Sequence, residues 1–201
     1  MKKVSKRAWF ALALAAALVV GVLGFCVKYF VKAGQWVSFP GSPHLYTGVN
    51  PDAGKIYDRS GTLILDSTDG RAYSGDALVR TATMHLLGDR DGFISAPLLK
   101  TYASEMIGFD VINGLYSFDP DKIAARLTIS ASVQAAAQQA LAGYRGTIGV
   151  YNYKTGELIC AVTSPSYDPD NVPDVAGDTT GAYEGVYLNR FFDAAYTRLD
   201  F

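Results

Sequence analysis

The chain has 201 residues, 49% hydrophobic and 18% charged, enough for one modest domain or two small ones beside an anchor. That composition excludes a disordered chain, and with a formal net charge of −1 and no basic cluster interleaved with aromatics it excludes nucleic acid as a partner. Its two cysteines, Cys26 and Cys160, fall in an apolar run and in a β-rich run, so no disulfide between them is expected and no cofactor or metal is implied.

Residues 8–27 carry no charge. As a helix they reach roughly 30 Å, one crossing of a bilayer core. Lys2, Lys3, Lys6 and Arg7 precede the run and Lys28 and Lys32 follow it, so the basic bias puts the short N-terminus in the cytoplasm and the remainder outside. Trp9 and Trp36 suit the two interfaces. A cleaved signal peptide is the competing reading, against which stands the length of the apolar run. Leu23, Gly24, Phe25 and Cys26 hint at a lipidation site, but bulky Phe25 occupies a small-residue position, so Cys26 reads as an ordinary buried residue. The six basic residues up to Lys32 leave 12 Lys and Arg against 19 Asp and Glu, so the exported part is acidic.

Residues 31–53, rich in Gly, Pro, Ser and Asn, read as a juxtamembrane linker. His44 and His85 stand alone, without the Cys, His or carboxylate neighbours a metal site needs, and are expected to face solvent or bond locally. GKIYDRSGTLILDS, residues 54–67, then gives two short strands, Lys55 to Tyr57 and Thr62 to Leu65, around a turn at Asp58, Arg59, Ser60 and Gly61, a hairpin with a buried Tyr57. Residues 78–88, LVRTATMHLLG, begin with alternating apolar positions and fit either a strand or a short helix. Further on, Leu98, Tyr102, Met106 and Phe109 share a helical face, closed by Gly108. Glu105 has no second carboxylate fixed opposite it by spacing and reads as a surface residue rather than a general acid.

Residues 127–169 are the organising stretch. Ser130 is placed to cap a helix whose apolar stripe is Val133, Ala137, Leu141 and Tyr144, with Gln134 and Gln138 facing outward. Residues 147–153 and 157–162 form two strands joined through Lys154, Thr155 and Gly156, where the glycine supplies a positive φ. A helix laid on a hairpin is the expected unit. Residues 168–185 then read as a polar surface loop.

The run GTIGVYNYKTGELICAVTSPSYDPDN, with LTIS before it and Leu188, Asn189 and Arg190 after it, resembles the entry into the transpeptidase domain of class B penicillin-binding proteins, the membrane-anchored peptidoglycan D,D-transpeptidases. GKIYDRSG is similar to the GxIxDRNG motif that opens their non-catalytic pedestal, and Arg71, Tyr73 and Gly75 resemble the segment that follows in members with a small pedestal, with residues 78–88 standing for an adjoining strand. The chain departs from the pattern at Ser130, where aspartate is usual, at Ser60 in place of asparagine, and at an extra Asp170. The resemblance implies an α+β chain: a cytoplasmic tail at 1–7, a transmembrane helix at 8–30, the linker at 31–53, a small-pedestal-like region at 54–120, and an incomplete N-terminal part of a transpeptidase domain at 121–201. Its structural-motif residues are Gly54, Asp58, Arg59, Gly61, Lys154, Thr155, Gly156, Ser164, Pro165, Tyr167, Asp168, Pro169, Asn189 and Arg190.

Such an enzyme needs a serine with a lysine one helical turn on, an SxN motif, and a KTG on a strand beside the cleft. The chain has no SxxK and no SxN. Lys154, Thr155 and Gly156 spell KTG but match the family's structural hairpin, so no catalytic residue is assigned. After Asn189 and Arg190 the family continues to a tyrosine and PGSTFK; here the chain reaches Tyr196 and closes on Arg198, Leu199, Asp200 and Phe201. One DNA string for Gly-Ser-Thr-Phe-Lys, read in another frame, encodes Leu, Asp, Phe and stop, so a frameshift that truncates the chain before its SxxK, or a sequencing error that mimics one, is expected, against a short natural tail of accidental sequence. The resemblance thus implies a single-pass bacterial membrane protein of cell-wall synthesis, catalytically incomplete. Its partners would be the lipid bilayer, peptidoglycan stem peptides and β-lactams for the full-length parent, and divisome or elongasome membrane proteins. The alternative is a non-enzymatic anchored interaction protein of the division or elongation machinery.

Overall fold

The computed structural model describes residues 2–39, 42, 54–68, 70–112, 115–116 and 123–193. Helix α1, Lys2–Val37, has 36 residues and is long and apolar enough to cross a membrane. Trp9 and Trp36 are separated by about 40 Å along its axis, close to the full thickness of a bilayer with its headgroups. Cys26 lies exposed on the helix surface, not buried as expected. The helix also corrects the linker boundary at residue 31, because it runs unbroken to Val37. Packing holds this last stretch helical: Ala33 is buried, and Val37 sits against Ala103, Ile107 and Phe109. Residues 43–53, with His44, lie outside the described residues.

Four short strands form a mixed sheet in the order β3-β2-β1-β6, from β1 Lys55–Tyr57, β2 Leu63–Asp66, β3 Ala72–Tyr73 and β6 Ala124–Arg126. β1 pairs antiparallel with β2, Ile56 opposite Leu65, and parallel with β6, Ile56 opposite Ala125. Ile56 therefore takes the central buried position, and Tyr57, expected to be buried, is only half so.

Residues 77–87 form helix α2, Ala77–Leu87, which settles the choice between strand and helix. Asp76 caps it through the N–H groups of Leu78 at 2.8 Å and Val79 at 3.4 Å, and Gly88 ends it at φ 80°. The helix is buried from Ala82 to Leu87 without a break, so no 3.6-residue stripe marks it in the sequence.

The single helical face expected over Leu98, Tyr102, Met106 and Phe109 is divided. Pro97–Thr101 forms α3 and Ala103–Met106 forms α4, separated at Tyr102, while Phe109 belongs to β4, Phe109–Asp110, which pairs with β5, Leu115–Tyr116. Gly108, at φ 61°, turns the chain between them.

Helix α5, Ala131–Ala140, lies on the hairpin of β7, Gly146–Tyr151, and β8, Leu158–Ser164. Its buried stripe is Ala131, Gln134 and Ala137, continued by Leu141 just past its end. Tyr144 is 71% exposed and lies beyond the helix, so it leaves the expected stripe. One core joins Ile56, Leu65, Val79, Leu86, Leu99 and Met106 to Leu127, Ile129 and Ala161, drawing on residues both before and after position 120. That boundary itself lies outside the described residues.

Candidate functional site

The motif residues converge on joints between elements. Gly54 sits at φ 80°, and a Cβ there would lie 2.7 Å from the Ile123 carbonyl oxygen and 3.1 Å from that of Met106. Only glycine lets β1 start so close to two backbones. Four residues on, Asp58 is buried and accepts through Oδ1 from the Ser60 N–H at 2.8 Å, the Ser60 hydroxyl at 2.6 Å and the Thr62 N–H at 2.8 Å. Its Oδ2 accepts from the Ala131 N–H at 3.1 Å. Ser130, expected to cap α5, has the backbone angles of a cap, but its hydroxyl pairs with that of Ser132 at 3.0 Å. Burial works to raise the Asp58 pKa, yet the Ser60 hydroxyl and the N–H groups of Ala131, Thr62 and Ser60 together hold it below the ordinary carboxylate range. A carboxylate so stabilised is a poor base, and the Ser60 beside it is not activated. Gly61 closes the turn at φ 89°, and the Arg59 N–H donates to the Ile129 carbonyl at 2.9 Å.

Lys154, Thr155 and Gly156 form the exposed tip of the β7–β8 hairpin, with Gly156 at φ 77° donating to the Asn152 carbonyl at 2.7 Å. The Lys154 ammonium stands 5.7 Å from the centre of the Tyr153 ring.

Beyond β8, the Ser164 hydroxyl donates to the Tyr144 carbonyl at 2.7 Å and the Ser164–Pro165 peptide is cis. Tyr167 is buried, its hydroxyl 3.4 Å from Asp89 Oδ2, and burial followed by the Asp89 charge pushes its phenol well above the ordinary range. Asp168 takes a two-pronged contact from Arg80, at 2.7 Å from Nε and 2.6 Å from Nη2, and this fork holds its carboxyl below the usual range. Asp168 and Pro169 are thus partly or fully buried, and the solvent-facing loop expected from residue 168 begins only at Asp170. Asn189 is buried and donates from Nδ2 to the His85 carbonyl at 2.7 Å, while Arg190 closes a local loop onto the Gly185 carbonyl at 2.8 Å.

The partners on α2 carry no sequence motif. Arg80 and His85 lie 88 and 101 residues from the groups they hold. His85, expected to face solvent or bond locally, is buried, and its Nε2 donates to the Val186 carbonyl at 2.7 Å. Arg71 reaches the carbonyls of Leu87 and Asp89 at 2.7 Å each, a cation at the C-terminal end of α2 where the helix dipole favours one. Gln134, expected to face outward, is fully buried: it accepts from the Ala161 N–H at 2.8 Å and donates to the Ala161 carbonyl at 3.3 Å. Gln138 likewise turns its carboxamide oxygen inward.

Chemically, these joints hold rather than react. Burial pushes the Cys160 thiol up to about 11, away from the thiolate a nucleophile needs. Among the described residues no three His, Cys, Asp or Glu side chains gather as a metal site.

No protein-family model matches the chain, and no curated protein matches it. Among solved structures it is similar to one described as the crystal structure of Pseudomonas aeruginosa PBP2 in complex with WCK 5153, at 27% sequence identity and a TM-score of 0.41. The match covers 60% of this chain and 28% of that one, so the chain spans under a third of that protein's length.

Proposed function

We propose that this chain is the membrane anchor and scaffold portion of a penicillin-binding-type peptidoglycan transpeptidase, with its N-terminus in the cytoplasm and the residues after α1 outside. The observation that carries the reading is the order of the motifs along the chain: GKIYDRSG, the KTG hairpin, SPSYDP and the Asn189-Arg190 pair follow one another as in class B penicillin-binding proteins. Their geometry is consistent with scaffold roles, since Asp58, Asp168 and Asn189 each tie one motif to a distant element. The orientation rests on the four basic residues ahead of residue 8.

The parent enzyme would acylate a serine with a D-Ala-D-Ala stem peptide and pass the acyl group to an amine, and β-lactams would trap the same serine. These 201 residues contain no SxxK, and the Lys154 triplet is an exposed turn, so the chain itself forms no acyl-enzyme. A fluorescent β-lactam is expected to leave no covalent band on it; a band abolished by changing one of its serines would overturn the scaffold role. Kinship is checked separately, by reading the gene in all three frames past the codon for Phe201. SxxK, SxN and KTG in that order support the family, and their absence overturns it. A reporter active only outside the membrane, fused after Phe201, checks the orientation.

A further inference from the structure

The outer end of α1 passes from lipid to protein between Val31 and Ala33. Phe30 and Val31 are 59% and 72% exposed, and side chains so apolar and so bare call for hydrocarbon around them. Lys28 and Lys32 fit the same level, because a lysine stem lies along apolar surface while its ammonium reaches the headgroups. Ala33, by contrast, is only 2% exposed. At Gly34 a Cβ would stand 3.8 Å from that of Ser104 on α4, and Val37 packs on Ala103, Ile107 and Phe109. From Val31 to Ala33 the helix rises about 3 Å, whereas the headgroup layer beyond the hydrocarbon is about 5–7 Å thick. The part of α4 that meets Gly34 therefore stands inside that layer rather than above it. The Trp36 ring marks the same interface: it lies back along the helix, 6.3 Å from the Tyr29 ring and 6.4 Å from that of Phe25.

We propose that the α4 face of the domain, around Ser104 and Glu105, is a membrane-contact surface seated among phospholipid headgroups. The lipid contact made by α1 continues without a break onto this face, since no loop separates the last lipid-facing residue from the first one the domain covers. Its charges suit the layer. Lys28 and Lys32 stand at the level of the phosphates, and although Lys32 Nζ donates to Gln35 Oε1 at 3.1 Å, an ammonium has further protons to give. Glu105, exposed and bonded by the Ser104 hydroxyl at 2.9 Å, offers a carboxylate to the amines and hydroxyls of the headgroups. Met106, the next residue of α4, lies in the main core, and its carbonyl is one of the two that crowd Gly54 at the start of β1. The seating thus fixes the height of the β1 sheet over the membrane, and of the Asp58 joint with it. It rests on α1 crossing the bilayer and is independent of the transpeptidase reading.

The test is fluorescence quenching on the full chain in nanodiscs whose phosphatidylcholine carries a nitroxide either on its headgroup or on an acyl chain. A fluorophore is attached to the natural Cys26 or, in a Cys26→Ala background, to Glu105→Cys; Cys160 is fully buried and stays unlabelled. Cys26 is expected to be quenched chiefly by the chain nitroxide and residue 105 chiefly by the headgroup nitroxide. Ala33→Glu combined with Val37→Asp strips α1 from α4 and is expected to abolish most of the quenching at residue 105. Neither position belongs to the main core, so the domain keeps its fold in this variant. Cys26 unquenched by either lipid overturns the membrane crossing on which the proposal rests. Cys26 quenched with residue 105 unquenched overturns the seating alone, and so does quenching at residue 105 that persists in the double variant.

Discussion

Asp58 caps a helix that begins 73 residues later in the chain: its Oδ2 accepts the N–H of Ala131 at 3.1 Å, while Oδ1 gathers three bonds within its own turn. The carboxylate thus sits at the positive end of α5, and one side chain fixes the β1–β2 turn against the start of the helix. Asp58→Ala should cost about 3 kcal/mol in chemical denaturation, from the lost cap and the orphaned N–H groups of Thr62 and Ala131. Ser130→Ala should cost under about 0.5 kcal/mol, because its hydroxyl caps nothing. Equal losses for the two would show that Ser130 shares the cap.

Gln134 acts as a short piece of strand. Its carboxamide answers both backbone groups of Ala161 on the outer side of β8, next to the Ser130 N–H, which donates to the Ile159 carbonyl at 2.9 Å. Gln134→Leu fills the same space but leaves a buried N–H and carbonyl unanswered, and a loss of about 3 kcal/mol is expected. Gln138→Leu, one turn away, should be neutral or slightly stabilising. Thermal melts of the two variants side by side decide it, and a stable Gln134→Leu would contradict the role.

Arg80 and Asp168 are only 15% and 18% exposed, and the fork between them fastens α2 to the segment after β8. Arg80→Ala should cost about 2 kcal/mol and raise the protease sensitivity of residues 168–185. Arg80→Lys keeps the charge but loses the second prong, so it should recover less than half of that loss. Full recovery by lysine would reduce the contact to simple charge attraction.

His85 sets an acid limit. Burial lowers its pKa to about 4, so the folded protein keeps it neutral in a range where the unfolded chain takes up a proton near 6.5. Stability from this group is complete above about pH 6.5 and is lost as pH falls from there toward 4, by about 3 kcal/mol in all. Asp58 and Asp168, both held below the ordinary range, add their own loss below about pH 4, where the unfolded chain binds protons first. Urea midpoints measured from pH 7.5 to 4.5 should fall for the natural chain and stay nearly flat for His85→Gln. A parallel fall in both would assign the loss to other groups.

The sequence by itself determined the features written in local chemistry. An uncharged run makes a membrane-length helix wherever it is placed. Gly61 and Gly156 mark turns because a positive φ costs glycine nothing, and the β-rich runs on either side of residues 154–156 pair because the turn brings them together. The tertiary structure decided what depends on partners far along the chain. Serine before a helix predicts a cap, yet a buried carboxylate from the first hairpin arrived at the start of α5 and bonds the Ala131 N–H with a full charge. Glutamine at an amphipathic position reads as solvent-facing, yet the bare edge of β8 needed an answer and Gln134 was the side chain over it. Residues 77–87 hide their helical period because α5, β8 and the β1–β2 sheet enclose them on several sides, and Arg80 and His85 acquire their roles only when segments 88 and 101 residues away fold back onto them. Local preference is a property of a few neighbouring residues; burial and pairing are properties of the closed fold, which no window of sequence contains.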